Sequence, residues 1–160
     1  MTPPEAIRAA YEILPARMQS RQATVQLLAI QQQEDPEQLR RQVGGPARGL
    51  WQFEKGGGVR GTLRHPSSRP HALKLCAALQ ADPVEQAVYA ELEHNDILAA
   101  GFARLLLWTD PRPLPPVGEV AEGWALYLRV WRPGAAKRDS EGLRRKWSVS
   151  YAKALELARA

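Results

Sequence analysis

The sequence predicts one mainly α-helical domain. Three observations carry this: seven segments show apolar residues at helical spacing, proline or glycine breaks most of the joins between them, and only one glycine-rich stretch, near residues 50–64, interrupts the helical pattern. The 160 residues suffice for a single core, and no internal repeat divides them, so residues 1–160 are read as one domain.

Taken in order, the first helical segment covers 5–14 and is stopped by Pro15. A longer one follows over about 17–33, where Val25, Leu28 and Ala29 share a face and Glu34 falls at the C-terminal end. Pro36, Gly44, Gly45 and Pro46 prevent regular continuation, so 35–49 reads as a loop with at most one helical turn. Residues 50–53 and the triplet Gly56-Gly57-Gly58 suit either a small β-hairpin within 50–64 or the lip of a cleft, because glycine permits close backbone approach. No Gly-Lys-Ser/Thr follows the triplet, which argues against a phosphate-cradling loop.

Helical pattern resumes over 69–79. Asp82-Pro83-Val84-Glu85 carries the signals of a helix start, with a capping acid, an early proline and a glutamate at the third position, for a helix running to about His94. An apolar helix over 97–108 follows, then the stiff connector Asp110-Pro-Arg-Pro-Leu-Pro-Pro. Residues 118–131 are amphipathic, with Trp124, Leu128 and Trp131 at helical spacing, and Pro133-Gly134 ends them. Ser140-Glu-Gly-Leu opens the last helix, which carries Trp147, Tyr151 and Leu155 on one face.

A hydrophobic fraction of 44% with 24% charged residues is ordinary for a soluble globular chain. The net charge of +5 favours an anionic partner, of which nucleic acid, anionic lipid and bacterial cell wall all qualify. The arginines at 40, 41, 48, 60, 64 and 69 are scattered and accompany no nucleic-acid-binding motif, so no specific nucleic acid is expected; a basic module of that kind would bind DNA with steep salt dependence. The single cysteine, Cys76, excludes an internal disulfide and lies in an apolar run, which suits a buried structural thiol. His94 stands in Glu91-Leu-Glu-His-Asn-Asp without a second histidine at ligand spacing, and His65 and His71 flank prolines, so neither metal nor cofactor is assigned. Met1-Thr-Pro-Pro-Glu lacks the basic and apolar regions of a secretory signal, and no stretch is long enough to span a bilayer. A cytosolic product without membrane insertion is therefore expected.

The chemistry-bearing feature is Glu34. Cleaving a glycosidic bond requires a carboxylic acid that keeps its proton until the leaving oxygen needs it, and a partly buried glutamate on a cleft wall meets that need. Gln33-Glu34-Asp35 is followed, fifteen residues beyond Glu34, by Gly49-Leu50-Trp51-Gln52. In this pairing the chain resembles the lysozyme-like superfamily, in particular the soluble lytic transglycosylases, over about residues 24–54. In those enzymes a glutamate at a helix end precedes a Gly-Leu-Met-Gln or Gly-Leu-Trp-Gln type motif. The chain departs from them where Asp35 stands in place of serine, where the following Asn-Pro is missing, and where a later Tyr-Asn-Ala-Gly motif has only Trp124-Ala-Leu-Tyr127 or the Tyr151 region as its nearest substitute.

The resemblance implies a lysozyme-like fold acting on bacterial peptidoglycan. Glu34 would be the general acid and base, with Gly49, Leu50, Trp51 and Gln52 lining the sugar site. Trp51 would present an aromatic face to a sugar or belong to the core; Tyr127 would assist the glutamate or serve packing. Among nearby carboxylates Asp35, Glu37 and Glu54, the last is the best placed as a second acid, its alternative being a loop charge paired with Lys55 or Arg48. The resemblance also implies phage or prophage origin, with the protein made in the host cytoplasm and reaching the wall through a holin, as an endolysin, or within the virion. A second expectation is a catalytically silent lysozyme-like component of a virion, with other virion proteins as partners.

Overall fold

The computed structural model describes residues 1–159 and holds eight α-helices among them. Helix α1 (Pro3–Ile13) opens on a capping box, in which the Thr2 hydroxyl accepts from the Glu5 amide and the Glu5 carboxylate accepts from the Thr2 amide. Leu14, extended ahead of Pro15, ends it. A separate 3₁₀ turn, Ala16–Met18, follows, so the second helix starts four residues later than the periodicity suggests. Ser20 is its true cap, accepting from the Ala23 amide at 3.0 Å. Helix α2 (Arg21–Glu34) then ends on Glu34 as expected.

No strand forms among the described residues, and the hairpin allowed for at 50–64 is absent. Two isolated antiparallel bridges, Arg41 with Arg48 and Arg48 with Phe53, take its place. The glycine triplet lies in a π-helical turn, Lys55–Val59, that runs directly into α3 (Arg60–Arg64). The reason is local: a Cβ at Gly58 would lie 3.0 Å from the Phe53 ring, so the triplet lets the chain coil tightly over that side chain instead of reversing as a hairpin tip.

Helices α4 (Arg69–Ala78) and α5 (Glu85–Leu92) follow. The second of these begins at Glu85 rather than at the expected Asp82 signal. Val84 is extended and precedes it as the N-cap, so Asp82 and Pro83 stay outside the helix. Cys76 is buried in α4, and burial, then the charge of Asp82, pushes its thiol up to about 11, which suits an inert structural residue.

Helix α6 (Asp96–Trp108), capped by Asn95, is buried along most of its length and packs against α1 and α4. The proline-rich connector leads to α7 (Val120–Trp131), and α8 (Ser140–Leu157) starts where the sequence indicated, with the Asp139 carboxylate accepting from the Gly142 amide. One contiguous apolar cluster, from Ala6 to Ala154, joins all the long helices, and its most extensive helix contact is between α2 and α8. No helix of the described residues is long and apolar enough to cross a membrane.

Candidate active site

Three tethers to α8 fix the end of α2. The Gln33 amide donates to the Leu143 carbonyl at 3.1 Å, the Ser150 hydroxyl donates to Gln33 Oε1 at 2.9 Å, and Lys146 Nζ donates to the Gln33 carbonyl at 2.6 Å. Glu34 is therefore displayed from a clamped helix end rather than from a fraying one.

Helix α7 closes over it. Gln26 Nε2 donates to the Gly123 carbonyl at 2.9 Å, and a Cβ at position 123 would collide with the Gln26 side chain, so glycine allows α7 to approach α2. One turn further along α7, the Tyr127 hydroxyl reaches Glu34 Oε1 at 3.2 Å. The Tyr127 ring is held by Trp147, stacked at a centroid distance of 5.1 Å with the planes 10° apart. Tyr127 thus packs in the core, as one of its two readings had it, and also hydrogen-bonds Glu34.

Glu34 itself is half-buried. Burial pushes its carboxyl up to about 7; the Tyr127 hydrogen bond and the Lys146 ammonium pull the other way, and the charges of Asp35 and Glu54 push up again. A carboxyl poised there is protonated in a large share of molecules at neutral pH and gives the proton up readily. Burial, followed by the adjoining carboxylate, raises the Tyr127 phenol well above its ordinary range, so it remains a hydrogen-bond donor.

Asp35 is occupied by the backbone. Its two oxygens accept from the Leu39 and Arg40 amides at 2.8 and 2.9 Å, which closes the loop after α2. Glu37 is exposed outside this cluster. Glu54 is exposed, close enough to act on Glu34, and in no ion pair among the described residues; Lys55 bonds to Gln86 and Arg48 reaches Glu93 instead. The surface pairing considered for it does not form.

Gly49-Leu50-Trp51-Gln52 forms a closed turn. Arg48 and Phe53 exchange two backbone hydrogen bonds across it, both 2.9 Å, and the Gln52 amide donates to the Gly49 carbonyl. Gly49 has φ +81°, and a Cβ there would lie 3.0 Å from the Leu92 carbonyl oxygen, so only glycine fits. Leu50 and Trp51 are buried, and the Trp51 indole donates to the Leu27 carbonyl at 2.8 Å. Neither offers a surface to a glycan: of the two readings open for Trp51 it is the core one that its burial matches, and Leu50 does not line a sugar site. Gln52 is half-buried, with its side-chain amide already donating to Gly49.

Beside this turn lies a cleft of about 760 Å³, lined by Glu54, the three glycines, Trp131 and Arg132 among others, but not by Glu34 or Tyr127. Trp131 lies one turn beyond Tyr127 on α7, meets Phe53 edge-on at 5.8 Å, and donates to the Trp51 carbonyl. It is the half-buried aromatic that borders the cleft. Among the described residues no three His, Cys, Asp or Glu side chains are grouped as metal ligands would be.

Compared with known proteins, the chain matches no family model, no curated protein and no solved structure. The site must therefore be read from its own geometry.

That geometry makes a prediction for Tyr127. Phenylalanine keeps the ring on Trp147 but removes the hydroxyl that stabilises the Glu34 carboxylate. Tyr127→Phe should shift the alkaline limb of any Glu34-dependent activity to higher pH and lower the rate at the optimum by roughly 10- to 100-fold, the worth of one hydrogen bond to a charged group. A pH–rate profile of both proteins checks it; an unmoved limb would separate the hydroxyl from the carboxyl.

Proposed function

We propose that the chain is a peptidoglycan-degrading enzyme of the lysozyme-like class. It cleaves the β-1,4 bond between N-acetylmuramic acid and N-acetylglucosamine, as a lytic transglycosylase or a muramidase. The observation that carries the reading is the half-buried Glu34, held at a clamped helix end under the Tyr127 hydroxyl, with a carboxyl poised near 7.

In this reading the glycan lies along the cleft bordered by the glycine turn and Trp131 and extends past Glu54 to Glu34, which is outside the cleft lining. The glycines bring backbone close to the sugars, and Trp131 supplies the aromatic edge. Glu34 donates its proton to the glycosidic oxygen as the bond to the muramic C1 breaks. Tyr127 then steadies the carboxylate left behind. Glu34 next takes a proton either from the muramic C6 hydroxyl, which closes a 1,6-anhydro ring on C1, or from a water that adds there. Glu54, free of ion pairs, adds negative charge beside the oxocarbenium-like centre. Phage or prophage origin, and bacterial peptidoglycan as the partner, belong to the same reading.

Mass spectrometry of the products from purified peptidoglycan tests it. Soluble muropeptides are expected, and their anhydro or reducing ends, which differ by one water, assign the second proton transfer. Protein that binds the wall and releases nothing soluble would overturn the enzymatic reading in favour of a silent virion component.

A further inference from the structure

A second cavity, of about 620 Å³, opens away from Glu34 between the start of α2, the end of α6 and the proline-rich connector. Its lining brings together Arg17, Arg104 and Arg112 with the polar side chains of Ser20, Gln22 and Ser67. Its size is that of a small-molecule site.

Arg104 makes the cavity unusual. Its side chain is only 3% exposed, yet no carboxylate lies within ion-pair distance among the described residues. Its Nε donates to the Met18 carbonyl at 2.8 Å, and the two terminal nitrogens have no hydrogen-bond partner among the described residues. They are not sealed off either, because the residue lines the cavity. A buried guanidinium without a counter-charge is costly to keep, and anions are the ordinary remedy.

The surroundings add positive charge instead of cancelling it. Arg104 and Arg17 both lie against the Trp108 ring, 5.4 and 5.7 Å from its centroid. The one acid on the cavity wall, Asp110, is drawn off by Arg129 at 3.1 Å. His71 reports the field: burial and then the charges of Arg17 and Lys74 hold it below the ordinary histidine range. Burial likewise depresses the Arg104 guanidinium.

We propose that this cavity binds the phosphoryl group of a small phosphorylated molecule. Arg104, Arg17 and Arg112 supply charge-assisted hydrogen bonds, and Ser20, Ser67 and Gln22 donate to the remaining oxygens. Three guanidinium groups against a neutralised acid suit a dianion better than a single carboxylate. A discrete cavity, as opposed to a basic track across the surface, suits a small ligand better than a nucleic-acid backbone.

Isothermal titration calorimetry of the full chain with inorganic phosphate and with glycerol 3-phosphate tests this. Saturable binding at one site is expected, with the ester binding at least as well as the free ion if the ligand is a phosphomonoester. Arg17 and Arg112 are exposed and make no side-chain hydrogen bond or ion pair among the described residues, Arg17 resting only on the Trp108 ring, so Arg17→Ala and Arg112→Ala should each weaken binding about tenfold without loss of folding. Arg104→Met should abolish it, its fold checked by circular dichroism, while Arg138→Ala, outside the cavity, and Glu34→Gln should bind as wild type. Unaltered affinity in the Arg17 and Arg112 variants, or no binding of either probe, would overturn the proposal. Binding of a DNA oligonucleotide with steep salt dependence and no response to phosphate would also do so, in favour of nucleic acid.

Discussion

Glu34→Gln is expected to lower muropeptide release by at least about 10³-fold while leaving the protein folded. General acid–base catalysis contributes on the order of 10²–10⁴-fold, and here one group serves as acid and then base, so losing it removes both steps. Glutamine keeps the shape and can still accept from Tyr127, so the loss is chemical and not structural. A stability measurement gives an independent check. The folded-state pKa of about 7 lies above the ordinary carboxyl value of 4.5. Between those values the native state holds a proton that the unfolded chain has released, so wild-type stability falls as pH rises through this window, and the full penalty is present above about 7. Glutamine carries no such penalty. The variant should therefore match wild type below pH 4.5 and exceed it at pH 8 by on the order of 3 kcal/mol, as read from urea denaturation at the two pH values. An active variant, or equal stabilities at pH 8, would remove Glu34 from the role.

How far the sequence reveals this site depends on the range of each contact. Glu34 at a helix end was legible because apolar spacing and Pro36 mark the end of α2 within a few residues. The Gly49 turn was legible as a motif, though its purpose was not: Gly49, Leu50 and Trp51 look like a binding loop, and their burial depends on Leu92 and Leu27, far along the chain. Tyr127 joins Glu34 across 93 residues. Local pattern placed it on an amphipathic helix and could not choose between core and site, because the close approach of α7 to α2 at Gly123 that decides the matter joins segments 97 residues apart. Lys146 was missed entirely. It sits among other basic residues on α8, and only its bond to the Gln33 carbonyl separates it from a solvated charge. The glycine triplet misled in another way, since a run of glycines carries no side-chain period and permits a π-helical turn as readily as a hairpin.

Trp51→Ala should cost about 3–5 kcal/mol of stability, the range for removing a large buried aromatic. Trp51 is 1% exposed, among the largest fully buried side chains, and its indole donates a further bond to the Leu27 carbonyl in the middle of α2. Truncation opens a void between the turn and α2, and both the turn that sets Glu54 and the helix that carries Glu34 border it. For a domain of this size the melting temperature should fall by roughly 10 °C. Activity would be lost with the fold, so this variant alone cannot tell a packing residue from a sugar platform. Trp51→Phe can. It retains most of the ring volume and loses only the indole's bond to the Leu27 carbonyl, which still accepts from the Gln31 amide within α2, at about 0.5–1.5 kcal/mol. If Trp51 is purely structural, the phenylalanine variant is less stable yet turns over glycan at the wild-type rate per folded molecule. A Trp131→Ala variant, altered at the cleft edge, should instead raise KM with a smaller loss of stability. Reversal of that pattern, with KM responding to Trp51 and stability to Trp131, would mean that the turn opens in solution to expose the indole to the substrate.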